Sequence, residues 1–295
     1  MMLNFISFAD GSLHFRRSLK RIESQAVNSN LFDSVKVYNL KTLRRHFPNF
    51  FIQHGTFLDQ EPKAIGRWIW KPYLCSELAK TSGDFLYLDA GSHLNLDSLL
   101  AKQRFTDYIK MLDESPVLSF QIRKKQFLES AEGTEKVFSR KELLEFCDPG
   151  KQIIESNQVE ANVIFFRAGQ ISRAFFSEVL HVATFDNYFF MRDTRNCINQ
   201  PPKPDLYRYD QSIYSLLYKK WNFKLIQNET WFHPDWKKAG ASFPIWTVRN
   251  RTGVDIFKVR LRDLPEKFEV KYKIWMKTRL KLNTLTTLLR VNIRS

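Results

Sequence analysis

The chain has 295 residues, 43% of them hydrophobic, and a formal net charge of +15; at that length about three quarters of the unfolded surface is buried on folding, so no covalent staple is needed. Its three cysteines, Cys75, Cys147 and Cys197, are far apart and odd in number, which argues against a disulfide framework and for a reducing compartment such as the cytoplasm. No run approaches the ~18 apolar residues of a membrane span, and "MMLNFISFADGS" lacks the basic leader and apolar core of a signal peptide, so a soluble or peripheral protein is expected.

In chain order, "LNFISFA" (Leu3 to Ala9) reads as a buried strand closed by Asp10-Gly11. Phe15, Leu19, Ile22 and Ala26 then recur at helical spacing among basic residues. "SVKVYNL" alternates as a strand. Proline suits a first helical turn, so Pro72 predicts a helix that places Lys71 at its start, with Gly83 positioned to end it. "DFLYLDAG" is a buried strand, Phe85 to Leu88, with Asp89 at its carboxyl end. Further on, a helix is expected near Ser98 to Leu112, a strand at "PVLSF", a helix near Arg140 to Phe146, a strand at "ANVIFF" and a helix near Ile171 to Thr184. "NQPPKPD" (Asn199 to Asp205) is a loop.

Strands alternating with helices favour an α/β fold, with a parallel or mixed sheet covered on both faces. In such sheets ligands lie beyond the carboxyl ends of the strands, which makes Asp89 a site candidate.

Charge is uneven. Residues 249 to 295 hold 13 Lys and Arg against 4 Asp and Glu, and Val270 to Ser295 hold 7 against none, interleaved with Trp275 and several leucines. Two parts are therefore expected: a domain over residues 1–248 and a basic C-terminal extension over 249–295. Basic segments with Trp and Leu on another face lie in lipid interfaces, so the extension reads as a helical tail for an anionic membrane surface. The rival class is a non-enzymatic nucleic-acid-binding protein using its basic surface, but no RNP block or zinc spacing supports it, and no specific nucleic-acid partner is expected.

Four blocks in order, "GRWIWKPYL", "GDFLYLDAG", "QVEANVIFFRAG" and "YDQSIYSLLYKKWNFKLI", carry a family likeness over roughly residues 1–235. They resemble bacterial nucleotide-sugar glycosyltransferases of the GT-A fold, whose relatives carry W-x-W-K-P-Y, Y-x-D-x-G and D-Q-S-I elements. The resemblance implies a Rossmann-like domain with a mostly parallel central sheet. It implies transfer of a sugar from a nucleoside-diphosphate sugar to an acceptor hydroxyl, and with it a glycan or glycolipid acceptor in surface-polysaccharide assembly; the basic tail, not the resemblance, adds a place at the inner face of a membrane.

GT-A enzymes usually hold a divalent cation on the donor diphosphate with a D-x-D motif. Here Asp89 matches the first carboxylate and Gly91 stands in place of the second. Two routes therefore stay open for the charge of the leaving diphosphate. One is Mn²⁺ or Mg²⁺ held by Asp89 and His233 of "WFHPDW"; the other is cation-free, through Lys71, Arg67 and the helix N-terminus. Asp89, Lys71, Arg67, Trp70 and Gly91 are the expected donor contacts. Asp210, a helix N-cap in the plainer reading, is with Asp89 the catalytic candidate, and Glu160, Asn162 and Gln211 are expected at the acceptor. Trp68 and Trp70 are more often core anchors.

Overall fold

The apolar runs of the sequence become strands of a six-stranded sheet in the computed structural model, which describes residues 2–62, 64–123, 133–192, 207–233 and 235–249. The strands are β1 (Leu3–Phe8), β2 (Ser34–Tyr38), β3 (Asp84–Leu88), β4 (His93–Leu94), β5 (Val117–Gln121), β6 (Val163–Arg167), β7 (Leu225–Gln227) and β8 (Ile245–Trp246). Helices are α1 (Leu13–Ser29), α2 (Leu40–His46), α3 (Pro48–Gln60), α4 (Ala64–Arg67), α5 (Trp70–Leu78), α6 (Leu99–Met111), α7 (Glu135–Phe138), α8 (Lys141–Cys147), α9 (Lys151–Ile154), α10 (Gln170–Tyr188), α11 (Tyr209–Lys220) and α12 (Trp236–Ala239).

Sheet order is β2-β1-β3-β6-β5-β7. β1 pairs parallel with β2 and β3, β5 pairs parallel with β7, and β6 runs antiparallel to both its neighbours. The chain moves from β1 to β2 on one side and then returns to β3 on the other. That reversal leaves a crevice at the carboxyl ends of β1 and β3, the topological switch point at which α/β sheets take ligands.

Successive residues of a strand point to opposite faces, so each buried strand feeds two cores. Phe85 and Tyr87 of β3, with Ile164 and Phe166 of β6, join the core that includes Trp70, Leu74, Phe175, Phe176 and Ile213 from α5, α10 and α11. Leu86 and Leu88, with Val163 and Phe165, join the core that includes Leu19 and Ile22 of α1 and Phe105 and Tyr108 of α6. Helices thus cover both faces of a mostly parallel sheet.

Differences from the sequence expectations have local causes. α5 begins two residues before Pro72, because proline is tolerated throughout a first turn whose N–H groups have no helical partner. The helix ends at Leu78, and Gly83 serves the turn beyond it: its φ is +99°, and a Cβ there would meet the Met2 carbonyl at 2.6 Å. Arg208, not Asp210, is the N-cap of α11, and Asp210 sits in the first turn. α2 and α3 were not anticipated.

All described residues belong to one unit, Met1–Thr252. The loop over 199–205, Cys197 and the basic extension after Arg249 lie outside the described residues. Cys75 and Cys147 are buried free thiols. Among the described residues, no helix is long and apolar enough to cross a membrane.

Candidate active site

A cleft of about 690 Å³ opens at the switch point, within the range of ligand sites. Two strand ends form its floor: Phe8, Ala9, Asp10, Gly11 and Ser12 follow through from β1, and Asp89 to Ser92 follow β3. The start of α11 and the turn before α5 supply the opposite wall, including Asp210, Tyr209 and Trp68.

The Asp89 turn is held from several directions. The Asp89 N–H donates to the Asn162 carbonyl at 2.9 Å, and the Ser92 N–H donates back to the Asp89 carbonyl at 2.9 Å. From α1, the buried Arg21 donates through Nη2 to the carbonyls of Ala90 (2.8 Å) and Ser92 (3.0 Å). One turn along that helix, Gln25 accepts from Leu94 N–H at 3.2 Å, leaving its Nε2 to donate to His93 Nδ1 at 3.2 Å. These contacts leave the Asp89 side chain 40% exposed at the cleft. Its Oδ1 accepts from the Tyr87 hydroxyl.

Lys71 lies at the centre. Its Nζ is 2.9 Å from Asp210 Oδ2 and 3.5 Å from Asp89 Oδ1, and it donates to the Ala161 carbonyl at 3.0 Å. Burial alone would lower this ammonium, but Asp210 and Asp89 more than offset it and hold the group above the usual lysine range. Burial pushes the Asp210 carboxyl upward, and Lys71 opposes that rise. The lysine thus stays charged between two carboxylates, and the anion that its place at a helix start demands comes from the chain itself.

Two guanidiniums expected from neither motif nor spacing also line the cleft, Arg208 and Arg249. Burial, then the like charge of Arg249, bring Arg208 down to about 10, against the pull of Glu160 and Asp210. At neutral pH Arg208 remains a cation. The β4–β8 ladder, His93 against Trp246 and Leu94 against Ile245, ties the segment leading to Arg249 directly to the end of the Asp89 turn.

The expected site residues divide. Asp89, Lys71, Trp70, Gly91, Asn162, Asp210 and Gln211 all line the cleft. Trp70 is 3% exposed and stacks on Phe8 with centroids 3.9 Å apart, so most of its surface seats α5 on the sheet. Asn162 Oδ1 is shielded from solvent and accepts no hydrogen bond. Gln211 donates to Gln158 at 2.9 Å. Arg67, Glu160 and His233 are not brought to the lining. Arg67 is buried against Glu61 at 3.2 Å and packs 4.7 Å from the Tyr209 ring centre. Glu160 is buried and accepts from the Thr230 hydroxyl at 3.0 Å, and His233 is exposed on Trp231.

Below α11 a buried network fixes its orientation. Glu135 accepts from Lys219 Nζ (2.6 Å), Ser139 (3.0 Å) and Gln158 (3.0 Å), and Gln158 also donates to Ser212 at 3.1 Å. Every member is satisfied, which rigidifies the wall that carries Asp210.

A divalent cation needs about six oxygens in near-octahedral array or a mixed carboxylate and imidazole set. Among the described residues, no three His, Cys, Asp or Glu side chains converge on such a point. Asp89 Oδ1, Asp210 Oδ2 and the Ala161 carbonyl already face the Lys71 ammonium, while both carboxylate oxygens of Asp10 accept backbone N–H groups, from Gly11 and Leu40. These side chains alone form no closed metal cage; a divalent cation here would be held by Asp89 together with donor phosphate oxygens and water.

Sequence reasoning missed Tyr209, Arg208, Arg249 and the Asp10-Gly11-Ser12 turn. The last was accessible, because the strand-end rule that selected Asp89 applies equally to β1. The arginines carried no such signal.

No protein-family model matches the chain, and no curated protein matches it in sequence. Among solved structures it is similar to a glycosyltransferase involved in glycosylation of the major capsid of PBCV-1, at 11% identity and a TM-score of 0.39, covering 83% of this chain and 92% of that one. It is also similar to mouse xyloside xylosyltransferase 1 in its apo form, at 8% identity and a TM-score of 0.42, covering 83% of this chain and 96% of that one.

Proposed function

We propose that this protein is a glycosyltransferase that moves a sugar from a nucleoside-diphosphate sugar to an acceptor hydroxyl. The observation that carries this reading is the Asp89–Lys71–Asp210 bridge, set in a ligand-sized cleft at the switch point of an α/β sheet. In this reading the nucleotide occupies the crevice between the ends of β1 and β3. Asp89, the more exposed carboxylate, accepts hydroxyl hydrogen bonds from the donor. Asp210 takes the proton of the acceptor hydroxyl, whose oxygen bonds to the anomeric carbon. As the anomeric carbon–oxygen bond to the diphosphate breaks, the electron pair leaves with the nucleoside diphosphate. Arg208, Arg249 and the Lys71 ammonium meet that growing negative charge, a role that fixed cations fill without solvent reorganisation. In this reading the three cations carry that charge without a divalent metal.

We place the protein in the cytoplasm, at the inner face of a membrane, acting on a glycan or glycolipid acceptor in surface-polysaccharide or glycolipid synthesis. The basic segment from Val270 to Ser295 supports this placement, since each cation near an anionic bilayer contributes about 1 kcal/mol. Removing that segment is expected to release the chain from anionic liposomes in co-sedimentation and to leave nucleotide binding unchanged.

The deciding experiment is a thermal-shift panel of UDP, GDP, dTDP, CDP and CMP, each with Mn²⁺ or with EDTA. At a hundred times its dissociation constant a ligand stabilises by about 2.7 kcal/mol, which raises the melting temperature of a chain this size by several degrees. At least one nucleoside diphosphate should do so equally in EDTA. A shift that needs Mn²⁺ removes the metal-free part of the reading, and no shift with any nucleotide removes the reading itself. Steeply salt-dependent binding to any nucleic-acid strand would put the nucleic-acid class in its place.

A further inference from the structure

One corner of the cleft is built on strained backbone. Gly66, Arg67 and Trp68 have consecutive φ values of +63°, +52° and +70°, and Tyr209 has +21°. At Gly66 the φ of +63° would strain any L side chain, whatever the space around it. Left-handed φ in bulky residues persists only where the surroundings enforce it, and such residues gather at ligand sites. Here the strain separates two neighbours of similar chemistry. Trp70 is packed into the core, whereas Trp68 remains half-buried at the cleft, its ring centre 6.5 Å from that of the half-buried Tyr209. The Arg67 guanidinium, 4.7 Å from the Tyr209 ring centre, fixes that ring.

Polar acceptors share the same cleft. Asn162 Oδ1 lacks a hydrogen-bond partner although it is shielded from water, an arrangement that a ligand hydroxyl would relieve. Two half-buried aromatic rings, tilted 38° to one another, in a cleft that is also lined by Asp210, Gln211 and Asn162 suit a pyranose ring, which offers one face of C–H bonds and a rim of hydroxyls. Lys71 stands between Asp89, at the nucleotide crevice, and Asp210, next in sequence to Tyr209. The aromatic corner is therefore on the acceptor side.

We propose that Trp68 and Tyr209 form a stacking subsite for a pyranose ring of the acceptor, with Asn162 Oδ1 accepting one of its hydroxyls; this rests on the transferase reading above. The test is saturation-transfer NMR on the full chain with methyl glycosides of glucose, galactose, mannose and N-acetylglucosamine, run with the nucleoside diphosphate that stabilises the protein. At least one glycoside should receive saturation on its ring C–H protons. Trp68→Ala and Tyr209→Ala should each reduce that signal at least fivefold, Trp68→Phe should retain most of it, and the melting shift given by the nucleotide should be the same in all three. No transfer to any glycoside overturns the subsite, as does an unchanged signal in both alanine variants. Loss of the nucleotide shift with the glycoside signal intact overturns it too, and assigns the corner to the base. Absence of any nucleotide shift in the wild-type chain sinks the transferase reading, and the acceptor assignment with it, before a variant is made.

Discussion

Lys71 and Asp210 form a buried ion pair, Nζ to Oδ2 at 2.9 Å, with side chains only 6% and 11% exposed. Removing two charges from water is expensive, and a buried pair of this kind is often no more stabilising than apolar residues of the same volume. Its presence in the lining of the cleft is therefore better explained by chemistry than by stability. Breaking it is another matter. Lys71→Met leaves Asp210 beside Asp89 without its paired ammonium, which should cost about 3 kcal/mol and lower the melting temperature by roughly 5–10 °C. Adding Asp210→Asn should recover part of that loss. Urea unfolding of the two singles and the double measures the coupling, and additive losses would mean that the pair is not a unit.

Asp89→Asn should behave differently, because its side chain is 40% exposed and an amide Oδ1 can still accept from the Tyr87 hydroxyl. Folding stability is expected to stay within about 1 kcal/mol of the parent chain. Sugar transfer should fall by about 100-fold or more, the scale on which a positioned carboxylate acts. Normal turnover of the variant with the identified donor would take Asp89 out of the reaction.

The sheet was legible because its strands are apolar runs closed by turn residues, and "FLYLDAG" announced both β3 and the carboxylate after it. α2 and α3 were not, since "RRHFPNFFIQHGTFLDQ" mixes aromatics and polar residues without a clean stripe; Pro48 at the first position of α3 was the missed signal. At the site, Asp89, Lys71 and Asp210 stand out as isolated charges at element ends, but their bridge joins β3, α5 and α11 across more than a hundred residues and is written in no local pattern. The division of labour between Trp68 and Trp70 was equally hidden. Both belong to one block and both line the cleft, but only Trp68, at the end of the left-handed turn from Gly66, stays half-buried there.

Arg21 touches no part of the cleft chemistry yet holds the carbonyls of Ala90 and Ser92, so it is a positioning residue for Asp89. Arg21→Ala should destabilise the chain by about 2–4 kcal/mol, given two buried charge-assisted hydrogen bonds. A purely structural role would stop there. If the turn is positioned by Arg21, calorimetry well below the melting temperature should also show nucleoside-diphosphate affinity reduced about tenfold, with partial recovery in Arg21→Lys, whose ammonium still reaches a carbonyl. Unchanged affinity in the alanine variant rejects the positioning role.

His93 gives the fold a pH dependence whose sign follows from its surroundings. The ring is fully buried, and burial together with the Arg21 charge holds it at about 2, against an ordinary 6.5. Below pH 6.5 the unfolded chain takes up a proton that the folded chain refuses, so the contribution is fully present above 6.5 and is lost as the pH falls. The slope approaches 1.4 kcal/mol per pH unit for one proton, or roughly 2 kcal/mol between pH 6.5 and 5. His54, lowered by burial to about 4, adds a loss of the same sign over the upper part of this window. His93→Asn removes one of the two protons, and its stability should fall less steeply from pH 7 to 5 than that of the parent chain. Because the same Arg21 faces His93 and the Asp89 turn, acid should also weaken nucleotide-induced stabilisation, and less so in the variant. Urea titrations of both proteins at pH 7, 6 and 5, with and without nucleotide, measure the two slopes together. Parallel curves would show that His93 is not the group refusing the proton.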